Sequence, residues 1–374
     1  MHHCDTASQR RAEMTDSAAA ATVAFCKLSH PDGYVACDWD LSLDGEARAH
    51  WLPFFQRHFE TILKLGVEAA VARGEALASA AARAEGCRDA LRNKVDGFAS
   101  RPHEFGRVTI LTLDAWRDGC LDRFDFYDPF IDLKNRENER ALPLLPAVCR
   151  QIDSLAGEAQ LGALVLGLFA GNIFDMGAEA TAKAFLAGGP DFFNTRDSIT
   201  PRPWLIDDYD ALAGRVLHGP VHRKAVFFID NAGSDFLLGA LPFVRWMARR
   251  GTRIVLAANE RPTLNDMTVH DVREWMPRII AAEPSLAGLP IELVSTGTGE
   301  PLIDLSRVSR ELNEAAADAD LVILEGMGRG VESNLDASFR CDALNVAMLK
   351  DSAVARRCGG KIFDVVCRFR EGRG

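Results

Sequence analysis

The 374-residue chain has no Cys-x-x-Cys pair and no apolar run long enough to span a bilayer. Its nine cysteines, at 4, 26, 37, 87, 120, 149, 341, 358 and 367, are odd in number and follow no ligand spacing. A disulfide framework and a zinc site are therefore both disfavoured, and buried thiols in a reducing cytoplasm are expected. Positive charge is not in surplus either: 53 acidic against 43 basic residues leave a net charge of −10, which argues against a broad nucleic-acid surface. Neither a Gly-x-Ser-x-Gly elbow nor a Walker A loop occurs, so a serine hydrolase and a P-loop enzyme are disfavoured. The stretch Ala18 to Phe25 follows Arg10 and Arg11, but Glu13 and Asp16 precede it and no small-residue cleavage site is convincing. His2, His3 and Cys4 look metal-binding in isolation, yet they sit at a terminus where fraying is the rule.

What is present is an ordinary globular composition, 48% hydrophobic and 26% charged. Residues 1–25 read as a disordered leader. From Ala47 to about Arg101, Trp51, Phe54, Phe55, Phe59 and Leu63 recur at helical spacing in Ala-, Glu- and Arg-rich text. A proline- and charge-rich stretch from Asp128 to Pro146 marks a boundary, giving a helical subdomain over 26–150. Beyond it, apolar runs at 225–229, 253–258, 291–295, 321–325 and 361–367 alternate with helical text. That alternation predicts an α/β fold over 151–374, a mostly parallel sheet flanked by helices.

Two of these runs end in polar clusters. Ala225-Val-Phe-Phe-Ile stops at Asp230-Asn231-Ala-Gly-Ser-Asp235, and Arg253-Ile-Val-Leu-Ala-Ala258 is followed by Asn259 and then Asn265-Asp266. An Asp-Asn pair at a strand end also serves as a turn or helix cap. In an open α/β sheet, however, the C-terminal strand ends are where ligands bind. If the two strands are neighbours, Asp230, Asn231 and Asp266 offer two carboxylates and an amide oxygen, a hard-cation site suited to Mg or Mn. Asp235 lies in or at the next helix and is left outside that set.

Other segments carry polar groups at element ends. Asn172 and Asp175 follow the run Leu164 to Ala170, where Asn172 can donate to an anionic substrate oxygen and Asp175 can orient it. Ser295-Thr-Gly297-Thr-Gly299 offers hydroxyls and backbone N–H groups of the kind that cradle phosphate. Glu325-Gly326-Met327-Gly328-Arg329-Gly330 does not match the dinucleotide fingerprint and reads instead as a substrate-contacting turn. Lys361 is expected to open the last strand.

Taken together, these segments resemble the metal-dependent damage-control phosphatases, long labelled domain of unknown function 89. The matching text is Asp128-Pro-Phe, Lys134, Glu137-Asn138, Gly-Asn-Ile-Phe-Asp at 171–175, Asp-Asn-Ala-Gly-Ser-Asp at 230–235, Asn265-Asp266 and Glu-Gly-Met-Gly-Arg at 325–329. The last motif resembles the branch that includes the phosphatase domain fused to pantothenate kinase-like proteins. The resemblance implies that Asp230, Asn231 and Asp266 bind a divalent metal (Mg, Mn, Co or Ni). It also implies that Asn172, the 325–329 turn and Lys361 face the substrate, a small-molecule phosphate monoester such as 4′-phosphopantetheine or a sugar phosphate. No nucleic-acid or membrane partner is expected. Ala at position 232, where an aspartyl-phosphate enzyme of the haloacid dehalogenase type carries a second Asp, favours metal ligation for Asp230. The alternatives are an S-adenosylmethionine-dependent carboxyl methyltransferase, disfavoured by the missing glycine loop, and a non-catalytic binder of phosphometabolites.

Overall fold

The computed structural model describes residues 22–173 and 192–372. The expected N-terminal helices form α1 (Gly45–Ala72), α2 (Leu77–Ser100) and α3 (Ile110–Arg123). The first starts where the Asp44 carboxylate accepts from the Ala47 N–H, a side-chain N-cap. Its apolar stripe, Trp51, Phe54, Phe55, Phe59 and Ile62, is buried against α2 and α3. The same cluster takes in Leu264, Met327, Val331, Ala347 and Leu349, so these helices roof one end of the sheet.

That sheet has seven strands: β1 (Ile206–Asp207), β2 (Lys224–Phe228), β3 (Arg253–Ala258), β4 (Ile291–Ser295), β5 (Leu321–Glu325), β6 (Asp342–Met348) and β7 (Val365–Arg370). Their order is β1-β7-β6-β5-β2-β3-β4, and every pairing is parallel except β6 with β7. The expected fold class is therefore observed. From β2 the chain runs outward through β3 and β4, then returns to the other side of β2 with β5 and β6. The strand order thus reverses between β2 and β5, which opens a crevice at their C-terminal ends.

Several details differ from the sequence expectation, beginning with the two-residue strand β1, which no expected run covers. Strand β6 was not among the expected runs because Asp342 and Asn345 interrupt it. Both are satisfied by distant partners: Asp342 meets His222 at 2.8 Å, and Asn345 donates to the Gly330 carbonyl at 2.7 Å. The last strand begins at Val365 rather than at Lys361. Residues 22–25 belong to the fold rather than to a leader, with Val23 paired to Val308 and Phe25 buried in the sheet's other face.

The packing boundary also falls earlier than residue 150. Ala141, Leu145, Val148 and Ile152 join Phe227, Phe236 and Ile323 in the core of the sheet. They belong to α4 (Ile131–Ala141) and α5 (Leu145–Asp153). Next comes α6 (Gly157–Gly171), the buried helix that ends at Asn172. The eight cysteines among the described residues are all free thiols. No helix among them is long and apolar enough to cross a membrane.

Candidate active site

The loops after β2 and β3 are tied together just beyond the strands. Asn231 and Asp266 form an isolated antiparallel bridge, the Met267 N–H donates to the Asp230 carbonyl, and the Ala232 N–H donates to that of Asn265, both at 2.9 Å. Asp230, Asn231 and Asp266 are thereby brought to one point at the strand-order reversal, all nearly sealed from solvent. One cation already serves both carboxylates. The Arg329 guanidinium donates through Nη1 to Asp230 Oδ1 and through Nη2 to Asp266 Oδ2, the latter at 2.6 Å.

The amides are oriented by what they donate to. Asn231 Nδ2 reaches Asp230 Oδ2 at 3.0 Å and Asp235 Oδ2 at 2.8 Å, which leaves its Oδ1 directed away from both carboxylates. Asn172 Nδ2 donates to the same two oxygens at 3.1 Å each. Lys350 Nζ in turn donates to the Asn172 carbonyl at 2.6 Å and to its Oδ1 at 3.0 Å. A buried lysine is thus coupled through one asparagine to Asp230.

Two short π-helical turns, Asp235–Ala240 and Met327–Glu332, follow β2 and β5. Wide turns of this kind concentrate at functional sites, and here they carry Asp235 and Arg329 inward. The glycines between them are packing requirements. Gly326 has a φ of +95°, and a Cβ there would run into the Asp230 carboxylate. A Cβ on Gly328 or Gly330 would meet the Pro301 or Leu324 carbonyl at 2.7 and 2.9 Å. The glycines let β5 approach Asp230 and form no nucleotide loop.

Glu325, behind Gly326, is 1% exposed, and neither of its oxygens has a hydrogen-bond partner among the described residues; nor does Asp235 Oδ1. Burial, followed by the Asp235 and Asp230 charges, raises its pKa well above the ordinary value despite the pull of Arg329. Glu325 therefore lies under the site and lines no cavity beside it, as does Arg329, whose nitrogens are engaged by Asp230, Asp266 and the Pro301 carbonyl. Met327 and Gly328 do reach the cavity.

That cavity, about 50 Å³, is bounded by Asp230, Asp266, Pro301, Leu302, Met327 and Gly328 on the sheet side. Trp51, Phe54, Phe55 and His58 of α1 and Asp114 and Arg117 of α3 close it from the other. It adjoins a larger cleft of about 260 Å³ that shares Asp114, Arg117 and Leu264 with it. Burial, opposed by Arg117 and reinforced by Asp118 and Glu300, pushes Asp114 up to about 7.

Two sequence expectations are corrected. Lys361 is exposed on the turn before β7, where its N–H bonds Asp364 at 2.9 Å, and it lies apart from the carboxylates. The buried lysine is Lys350, which ends the β6 run; with that strand unread, its position at a C-terminal strand end had no signal. Ser295 and Gly297 do not form a phosphate cradle. The Ser295 hydroxyl bonds Glu260, the Gly297 N–H is taken by that hydroxyl at 3.0 Å, and the Thr298 N–H by Thr296 Oγ1 at 3.4 Å. The loop's own hydroxyls thus take the Gly297 and Thr298 N–H groups a phosphate would need. Asp175, His2, His3 and Cys4 lie outside the described residues. Asp235, left out of the sequence set, accepts three N–H bonds and positions both asparagines.

A divalent cation fits the donor set. Among the described residues no three His, Cys, Asp or Glu side chains gather around one point. A cation here would take the Asp230 and Asp266 carboxylates, both hard oxygen donors, whereas the Asn231 side chain turns its Nδ2 and not its Oδ1 toward Asp230. That Arg329 bridges both carboxylates shows they can share a single positive charge.

A family model described as the damage-control phosphatase ARMT1-like domain matches residues 94–366. A damage-control phosphatase of Arabidopsis thaliana is 41% identical over 259 residues, 68% of this chain and 70% of that protein. Pantothenate kinase 2 of Arabidopsis thaliana is 34% identical over 92% of this chain, and the 4′-phosphopantetheine phosphatase of Mus musculus is 33% identical over 91%. The chain spans 41% and 48% of those two longer proteins. The crystal structure of a DUF89 family protein from Pyrococcus horikoshii shares the fold, with a TM-score of 0.59 at 18% identity, covering 84% of this chain and 96% of that one.

Proposed function

Since the chain belongs to the damage-control phosphatase family, we propose that it is a divalent-metal-dependent phosphatase acting on small phosphate monoesters. The observation that carries this reading is the convergence of Asp230, Asn231 and Asp266 at the strand-order reversal, with the two acids lining a small cavity. Candidate substrates are 4′-phosphopantetheine or its damaged forms, supported by the name of the mouse relative, and sugar phosphates such as fructose 1-phosphate.

A monoester dianion needs its oxygens neutralised and its attacking water aligned with the leaving group. A bound divalent ion supplies charge neutralisation and a more acidic water. The chain supplies the rest. Asp230 is held by Arg329 at one oxygen and by Asn172 and Asn231 at the other, and Asp266 by Arg329 and Asn259. Asn172 fixes Asp230, and Lys350 fixes Asn172, so these two are positioning residues. The aromatic residues of α1 exclude bulk water, which strengthens every charge interaction inside.

The test uses chelator-stripped protein supplied with Mg, Mn, Co or Ni, and follows phosphate release from an aryl phosphate, 4′-phosphopantetheine and fructose 1-phosphate. Release is expected only with metal, and Asp230→Ala is expected to lower kcat by roughly 100-fold or more. Turnover without metal, or an Asp230→Ala protein as active as wild type, would refute the assignment.

A further inference from the structure

The roof of the cavity holds two polar groups that the chain leaves unsatisfied. Trp51 is 3% exposed and lines the cavity, yet its Nε1–H has no acceptor among the described residues. Asp114, also 3% exposed, gives Oδ1 to Arg117 Nη1 at 2.7 Å, while its Oδ2 has no partner among the described residues. Buried indole and carboxyl groups normally find partners. Arg117 does not supply the second one. Its Nε and second Nη are committed to Asp118 at 2.7 and 3.0 Å, and Nη2 also reaches Thr263 at 2.8 Å.

We propose that Trp51 and Asp114 form a subsite that reads the organic part of the phosphate ester, selecting a neutral hydroxyl or carboxamide a few bonds from the phosphorus. This rests on the phosphatase reading and adds the substrate class to it. The chemistry follows from what the two groups ask for. The indole N–H needs an acceptor, and the carboxyl oxygen needs a donor. A hydroxyl or a carboxamide meets both needs. An ammonium group only donates and a carboxylate only accepts, so each leaves one partner unsatisfied.

The position suits that task. Asp114 lines both the small cavity beside Asp230 and Asp266 and the wider cleft beyond it, so an ester with its phosphate at the carboxylate loops must pass this residue on its way out. The Asp118 and Glu300 carboxylates near Asp114 further disfavour an anionic tail. A carboxyl that titrates near neutrality matches the same ligands, because a hydroxyl serves either of its forms.

The experiment compares four esters on metal-loaded wild type: a linear alkyl phosphate and the same chain bearing a hydroxyl or carboxamide, an ammonium, or a carboxylate. The hydroxyl or carboxamide ester is expected to exceed the plain alkyl ester in kcat/KM by about 10- to 100-fold, with no gain for the two ionic ones. Trp51→Phe keeps the ring and removes the N–H, and Asp114→Leu keeps the volume and removes the oxygens. In each variant that ratio should fall toward one through KM, with melting curves confirming a folded protein. A wild-type ratio near one, or a ratio unchanged in both folded variants, overturns the subsite. If none of the esters is hydrolysed with any metal, the phosphatase reading fails, and calorimetric binding of the same four esters then decides the subsite on the same ratio of Kd values.

Discussion

Two buried clusters have the same composition and opposite uses. Lys134 donates to Asp128 at 2.9 Å and to Asp271 at 2.7 Å, and Arg329 donates to Asp230 and Asp266. Each is one enclosed cation shared by two carboxylates. In the lysine cluster the oxygens are also spent on the backbone: Asp271 caps its helix through the Thr268 N–H at 3.0 Å, and Asp128 holds the Phe130 N–H at 3.1 Å. In the arginine cluster Asp230 Oδ2 also accepts from Asn172 and Asn231, and Asp266 Oδ2 from Asn259, but both acids line the small cavity, whereas of the lysine pair only Asp128 borders a space, the wider cleft. A buried triad with a carboxylate sealed inside the fold, as Asp271 is, serves as a brace. One whose two carboxylates line the same cavity is the candidate site.

The sharpest way to break the comparison is to delete each cation. Lys134→Met should lower the unfolding free energy by about 3–5 kcal/mol, because two carboxylates are left buried without compensation. Denaturant titration should find that loss unchanged by Mn. Arg329→Met should cost a similar amount without metal. Mn at about 100 times its Kd should then return roughly 2.7 kcal/mol by preferential binding to the folded chain. Equal rescue of the two variants would erase the distinction.

A smaller effect is expected at Gly326. Gly326→Ala places a methyl against Asp230 at a φ of +95°, so denaturant titration should find a loss of about 1–3 kcal/mol and an assay should find reduced turnover. The most gradual effect concerns a third shared cation, Arg117, with Asp114 and Asp118. Asp114 titrates at about 7 when folded against an ordinary 3.8. The folded chain thus holds a proton that the unfolded chain has released, and stability should fall as pH rises between those values, by at most about 1.4 kcal/mol per pH unit. Asp114→Asn should flatten that slope.

Legibility in the sequence followed the same divide. Nearly unbroken apolar runs such as Leu321–Glu325 and Arg253–Ala258 announced their strands to the residue, since a strand buried on both faces has little else to encode. The Asp230 and Asp266 pairing was readable because each acid follows a recognisable strand. Lys350 was not, because Asp342 and Asn345 hide β6, and their partners lie 120 and 15 residues away in the chain. Trp51 and Asp114 read as helix residues of another subdomain. Nothing in local text reveals that α1 and α3 face the sheet's C-terminal edge.

That roof also bears on how relatives diverge. The shared domain begins at residue 94, while Trp51, Phe54, Phe55 and His58, which wall the cavity, lie before it. Matches that cover 91–92% of this chain nonetheless run through residues 51–58, so the stretches that hold the wall of the cavity and the acidic residues beneath it occur together in those longer relatives. Exchanging α1 between members would reshape one wall of the cavity and leave Asp230 and Asp266 in place.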